Sequence, residues 1–462
     1  MTGTSGFKGS GITDPFQTPD APTVDSVSAG VLSANVTISA PADTGGAAID
    51  SYVVTAKQSD GTSVTGTASA AGTVSVTLTA GGTTTFAAQA LNKYGAGQFS
   101  GFGNSTSVFS GQELYSWGAG NYGILGDNST VDKSSPVQVG SLTTWAQVEA
   151  SRDHTAGITT SGEIYAWGNG AIGNLGLNDT ISHSSPVQIG ALTNWSQVST
   201  RNFHTAAVKT DGTLWGWGSG GLGRLGDNST VDKSSPIQIG ALTNWSQVSA
   251  GDYHSAAITT DGELYTWGYG KFIGHNNIIN RSSPVQVGAL TNWSQVSAGS
   301  NHITAVKTDG TLWAWGVGQF GQNGDNTTVN RSSPVQIGAL TTWSRVAAGN
   351  YHNVATTTSG ELYAWGRGNE GQLGDGNTIS RSSPVQIGAL TTWDKISAAR
   401  QHTAAIKTDG TLWAWGSDAN GKLGDGTTVN KSSPVQIGAL SDWSQVSAGT
   451  FRHTAAILAT TS

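Results

Sequence analysis

Residues 245–268 read WSQVSAGDYHSAAITTDGELYTWG, and the markers of this stretch recur seven times along the chain. Strand-forming residues fill Trp245–Val248, His254–Ile258 and Glu263–Trp267. Between the last two lies Asp261-Gly262, a pair that suits a hairpin turn requiring positive φ. Equivalent pairs stand at Ser161-Gly162, Asp211-Gly212, Asp309-Gly310, Ser359-Gly360 and Asp409-Gly410.

Outward from this stretch the markers keep step. Trp-Gly begins at Trp117, Trp167, Trp217, Trp267, Trp315, Trp365 and Trp415, and Ser-Ser-Pro at Ser134, Ser184, Ser234, Ser282, Ser332, Ser382 and Ser432. A second tryptophan recurs at Trp145, Trp195, Trp245, Trp293, Trp343, Trp393 and Trp443. The spacing is 50 residues, with one interval of 48. Four short strands per unit at this period predict the blades of a propeller, each burying its faces against its neighbours. The fold class is therefore all-β, with a seven-bladed β-propeller over residues 111–462. The chain ends where a seventh hairpin turn is due, and the first repeat strand, Glu113–Trp117, has no histidine strand before it. Strand 113–117 is expected to pair with 453–458 and close the ring, which removes two open sheet edges.

These units resemble the regulator of chromosome condensation repeat family. The motif is carried by Val248–Ile258, Asp261–Gly268 and the Gly223-Arg224-Leu225-Gly226 of the preceding unit. The resemblance implies a seven-unit ring, and guanine-nucleotide exchange on a small GTPase as the family's best-known activity. That activity goes with a projecting wedge and a basic tail. Here the units are nearly uniform, and the first 20 residues carry one basic residue, Lys8.

All 17 tryptophans lie at or after Trp117, so the composition changes near 104–111. Residues 1–20 read as a flexible arm. Over 21–108 Ala34, Val36 and Ile38 alternate with polar residues, as do Val74, Val76 and Leu78. Asp43-Thr44-Gly45-Gly46 marks a turn. This region resembles a fibronectin type III domain, an immunoglobulin-like β-sandwich, through Ala21–Val24, Ala40–Gly46, Ser51–Val54, Phe86 and Ala90–Asn92.

Composition narrows the function classes. The formal net charge is −7, which supplies no global attraction for nucleic acid or anionic membranes. With no cysteine there are no disulfides, thiolate metal sites or cysteine nucleophiles. No apolar run suggests membrane insertion, and residues 1–10 lack the core of a secretory signal.

Seven histidines, His154, His204, His254, His302, His352, His402 and His453, occupy one equivalent position per unit. That spreads them around a ring, whereas a metal needs ligands converging on one point. They are expected to be equivalent structural hydrogen-bonding groups, with no metal and no cofactor. His183 and His275 fall outside the period and read as solvated loop residues. Asp127 and Asp227, in spacings unlike a helix-loop-helix calcium loop, read as turn residues. The Gly-x-Gly stretches after each Trp-Gly open no helix of a βαβ unit, so they read as turns rather than phosphate loops. No paired carboxylates stand out for sugar hydrolysis, and no catalytic residues are expected.

Function is then expected where the units differ, in the turns just before the ring histidines: Arg152, Phe203, Tyr253, Tyr351, Arg400 and Phe451. The arm, spacer and propeller head, without cysteine or secretory signal, suggest a non-enzymatic virion component of a phage, a fibre, tail or capsid decoration. Residues 1–110 would hold other virion or surface-assembly proteins, and the propeller would bind a host-surface protein or glycan. Its place would be the virion or an extracellular surface, after synthesis in the cytoplasm. The alternatives are a nucleotide-exchange or other protein-interaction propeller and a lectin-like secreted bacterial adhesin.

Overall fold

The computed structural model describes residues 17–460 apart from 31–32, 60, 80–81 and 109–110. Residues 1–16 of the expected arm lie outside the described residues. Two compact units separate, Met1–Gln112 with Ala459–Ser462, and Glu113–Leu458.

In the first unit, strands Thr23–Gly30, Ser33–Ser39 and Gly72–Thr77 form one antiparallel sheet. Strands Ile49–Gln58, Ser63–Ala68, Gly82–Asn92, Gly95–Ala96 and Asn104–Val108 form the other. The period-2 alternation read from the sequence gives each sheet one apolar face. Val36, Ile38, Val74 and Val76 from one meet Tyr52, Val54, Phe86 and Ala88 from the other in a single core.

The second unit consists of seven four-stranded antiparallel sheets. Blade 1 shows the plan: inner strand Trp145–Ala150, second strand His154–Thr159, third strand Ile164–Gly168, outer strand His183–Gln188. The Ser-Ser-Pro strand is thus the outer edge of the sheet that precedes it, and each blade is phased from its second tryptophan. Blades 2 to 6 start at Trp195, Trp245, Trp293, Trp343 and Trp393. In blade 7 the order is Lys133–Gln138, Gly111–Gly118, His453–Thr460, Trp443–Ala448, two strands from each end of the repeat region.

Neighbouring blades are joined at several depths. Near the axis, Gln147 accepts from the Val198 N–H at 2.9 Å and donates to the Val198 carbonyl at 2.9 Å, standing in for a strand partner. Gln445 closes the ring by accepting from the Val148 N–H, also at 2.9 Å. Further out, Trp145, Val148 and Trp167 of blade 1 pack with Leu114, Ala455 and Ile457 of blade 7. Within blade 1 Trp145 meets Trp167 and Tyr165 edge-on, with centroids 5.9 and 5.4 Å apart. That geometry suits the quadrupoles of aromatic rings. The glycine of each Leu-Gly-Asp stretch has a packing reason: a Cβ on Gly126 (φ +76°) would sit 2.6 Å from Nε1 of Trp167 in the next blade. Asp127 and Asp227 accept from Ser129 and Ser229 and pair with Lys133 and Lys233, so these carboxylates hold their own loops.

His183 is not a loop residue. It opens the outer strand of blade 1 opposite Gly168 and is half-buried. His275 is half-buried too, with Nε2 3.0 Å from the Thr266 hydroxyl.

Candidate functional site

Antiparallel pairing puts the turn after each inner strand and the loop after each third strand at the same end of every sheet. The pre-histidine turns and the Gly-rich loops therefore share one propeller face. Here the histidines sit just beneath the surface, all fully buried. His352 Nε2 lies 2.9 Å from the Thr403 hydroxyl of the next blade, and that hydroxyl donates to the Gln372 carbonyl at 2.8 Å. With its proton engaged there, Thr403 must accept, so Nε2 carries the imidazole proton. His154–Thr205, His402–Thr454 and His453–Thr155 repeat the arrangement. The same loop carbonyl takes the indole N–H of Trp415 at 3.0 Å. Each of these four histidines thus ties a turn, a loop and the next blade together.

The equivalence fails at one blade. Ile303 stands where the other blades offer Thr, Ser or Asn, and neither ring nitrogen of His254 has a hydrogen-bond partner among the described residues. Phe272 packs against its ring instead, 5.9 Å between centroids. Consequently His352→Leu should cost roughly 1–3 kcal/mol, the range for orphaning a buried hydrogen-bonding group. His254→Leu should cost clearly less, because it orphans nothing. Urea denaturation of the two variants beside the parent checks this, and equal losses would contradict it. Burial holds the imidazoles neutral, with pKa values lowered to about 3 for His154, His254, His352 and His453 and about 4 for His302.

The pre-histidine turns divide inward and outward. Asn202, Asp252, Ser300, Asn350 and Thr450 are buried, whereas Arg152, Phe203, Tyr253, Tyr351, Arg400 and Phe451 are half-buried at the surface. The outward residues gather into three arginine–aromatic clusters. Phe203 and Tyr253 lie 5.8 Å apart, with the Arg224 guanidinium 5.0 and 5.5 Å from their rings. Tyr351 meets Phe320 edge-on at 5.4 Å, and Arg367 covers both. Phe451 takes Arg400 at 4.2 Å and Arg152 at 5.1 Å. The last cluster is basic. Arg452 lies 4.0 Å from Asp153, which also pairs with Arg152. Buried Lys422 donates to the Phe451 carbonyl, and burial lowers its pKa to about 8 against the pull of Asp418 and Glu370.

Sequence reasoning found two members of the first cluster, one of the second and all three stacked residues of the third, and missed Arg224, Phe320, Arg367 and Lys422. These come from the Gly-rich loops, which read only as turn formers. It also missed Arg201, which stands where the other blades have Gly, Ala or Ser, a departure visible in the repeat. Arg201 is buried and reaches across the axis from blade 2 to blade 5. Its guanidinium pairs with Asp252 at 3.4 Å and donates to Asn350 Oδ1 and the Ala348 carbonyl at 3.0 and 3.3 Å. Along the axis runs a polar cavity of about 260 Å³ lined by Gln and Ser side chains of the inner strands. Glu149 replaces one of these serines, and burial raises its pKa to about 7, with Ser447, Gln147 and Arg201 pulling the other way.

Residues 232–461 match the family model of the RCC1-like domain, and residues 112–158 and 161–208 match that of the regulator of chromosome condensation (RCC1) repeat. No curated protein matches the chain. Among solved structures, human WBSCR16 is 19% identical with a TM-score of 0.68, covering 76% of this chain and 99% of its own. Prp20p of Saccharomyces cerevisiae, described with its binding to Gsp1p and histones, is 18% identical with a TM-score of 0.67, covering 76% of this chain and 92% of its own. Yeast RCC1 (Prp20), in complex with Kap60, gives the same identity and TM-score, covering 76% and 90%. The location expected from the sequence is corrected by these findings. These three likenesses are to RCC1-like proteins of human and yeast, none of them described as a protein of virions or extracellular surfaces. The virion partners expected for residues 1–110 have no support either.

Proposed function

From the RCC1 repeats and RCC1-like propeller that residues 112–461 form, we propose that this chain is a protein-interaction propeller whose working surface is the pre-histidine face. The observation that carries this reading is the gathering of Arg152, Phe203, Tyr253, Tyr351, Arg400 and Phe451 into three half-buried arginine–aromatic clusters on that face. Aromatic and arginine side chains in partly desolvated settings are the usual energetic centres of protein interfaces. The scaffold beneath them is rigid, being tied blade to blade by the histidines. The basic cluster around Phe451 favours a partner that offers carboxylates there. The solved structures of yeast Prp20p, described with Gsp1p, histones and Kap60, lend the reading weight. Nucleotide exchange is its narrower form, favoured by the same resemblance. The first unit, read as a fibronectin type III-like sandwich over 21–108, would be a spacer or a second attachment point.

The test is affinity capture with the full chain and with a Phe203→Ala, Tyr253→Ala, Phe451→Ala variant. A partner held by the parent should be lost from the variant, with binding at least about tenfold weaker, as removal of several interface centres implies. Capture of the same proteins by both would contradict the assignment of this face.

A further inference from the structure

Blades 2, 4 and 6 differ from blades 1, 3 and 5 at two linked positions. Their second strands end in Lys209, Lys307 and Lys407, where the others have Thr159, Thr259 and Thr357. Their third strands carry Trp215, Trp313 and Trp413 where the others carry Tyr165, Tyr265 and Tyr363. The linkage has a geometric cause. Each lysine ammonium lies against two indoles, 3.8 Å from the ring centroid of Trp215 and 4.7 Å from that of Trp195 in blade 2. The distances are 3.8 and 4.9 Å in blade 4, and 3.6 and 5.0 Å in blade 6.

The three lysines are 6, 6 and 8% exposed. The indole faces attract the cation but accept no ordinary hydrogen bond. Among the described residues none of the three ammonium groups has a carboxylate within ion-pair distance or an acceptor within hydrogen-bond distance. The acids that act on them from further off, Asp211, Asp309 and Asp409, already accept from the backbone N–H and hydroxyl of Thr213, Thr311 and Thr411. Each ammonium thus keeps a path to solvent past the indoles, with no acceptor among the described residues.

Two of the lysines, Lys209 and Lys407, front apolar cavities between adjacent blades, toward the face opposite the ring histidines. Lys209 lines one of about 400 Å³ with Trp215, Leu192, Ile189 and Pro236, and Lys407 lines one of about 500 Å³ with the equivalent residues. Blade 5 has a cavity of about 510 Å³ with the same walls, Tyr363 and no lysine. Such volumes suit small organic molecules, and such linings suit a mostly apolar ligand fixed by one or two polar groups.

We propose that the cavities at blades 2 and 6 bind small organic acids, the apolar body entering between the blades and the carboxylate accepting from the indole-caged lysine. Charge complementarity selects the carboxylate, since it supplies the acceptor the ammonium lacks. The two lysine-fronted cavities set the number of sites at two, with the cavity of tyrosine blade 5 as a built-in control. These sites are separate from the pre-histidine face and do not depend on its role.

Calorimetric titration of the full chain with N-acetyl-leucine, beside its neutral amide, tests this. The acid should bind saturably near two per chain, and the amide about tenfold more weakly or worse. Lys209→Met should lower the count to one, and the double Lys209→Met, Lys407→Met variant should abolish binding. Thr357→Lys with Tyr363→Trp should raise the count to three, a gain that misfolding cannot imitate. Equal affinity for acid and amide, or no saturable binding of the acid up to about 10 mM, would overturn the proposal. So would a count that none of the substitutions moves.

Discussion

Below about pH 6 the melting temperature of the full chain should fall steeply, and cooperative acid unfolding should follow near pH 5. The cause is the histidine ring. Burial is the largest influence lowering the pKa of all seven imidazoles, which stay neutral in the fold to about pH 3 or 4 where values are given. Unfolded, they take up protons near the ordinary value of about 6.5. Below that pH the unfolded chain binds more protons than the folded one, so stability is lost as pH falls. Each imidazole contributes about 1.4 kcal/mol per pH unit in that window. Two carboxyls oppose the trend. Burial raises Glu149 to about 7 and Asp418 to about 6, so the folded state holds their protons where the unfolded state does not. That stabilises the fold as pH falls toward the ordinary carboxylate range, and for partly exposed Asp418 the effect is screened. Seven groups against two leave a net loss comparable, within one to two pH units, with the whole stability of a domain. Circular-dichroism melts from pH 8 to 4 check this, and an unchanged melting temperature at pH 4.5 would contradict it.

Removal of residues 111–118 should have an effect of similar size. That strand lies between Lys133–Gln138 and His453–Thr460 in blade 7, so its loss separates the two ends of the chain rather than trimming an edge. It also takes Leu114 and Trp117, both fully buried, from two different inter-blade cores. The deletion variant should aggregate or unfold without cooperativity. The milder Trp117→Ala should cost about 3–5 kcal/mol, the range for large-to-small core changes. A monomeric deletion variant with an unchanged melt would show that blade 7 does not hold the ring together.

Much of this was legible because the sequence repeats. A tryptophan, a histidine and a turn glycine at one period predict strands, and seven copies predict a ring of blades. The phase of the blades was less legible. Ser-Ser-Pro introduces the next tryptophan along the chain, yet its strand pairs backward with the Trp-Gly strand, a choice made by tertiary pairing that spacing does not encode. The candidate surface was half legible. Phe203, Tyr253 and Phe451 stood out as variable turn residues, but the arginines that cover the first two clusters lie in loops, 16 to 47 residues from the aromatics they meet. The equivalence expected of the histidines broke at His254, for a reason visible only once Ile303 is seen to face it from the next blade. Arg201 and the three caged lysines were departures from the repeat that could have been noticed. Their meaning depended on what lies across the axis or between the blades.

Amide hydrogen exchange of the full chain, free and with its captured partner, tests the binding face most directly. Protection is predicted at the turns 151–153, 202–203, 252–253, 350–351, 400–401 and 450–452, with the loops 219–224 and 367–370. Protection confined to residues 17–108, or to the opposite hairpins such as 160–163, would contradict it.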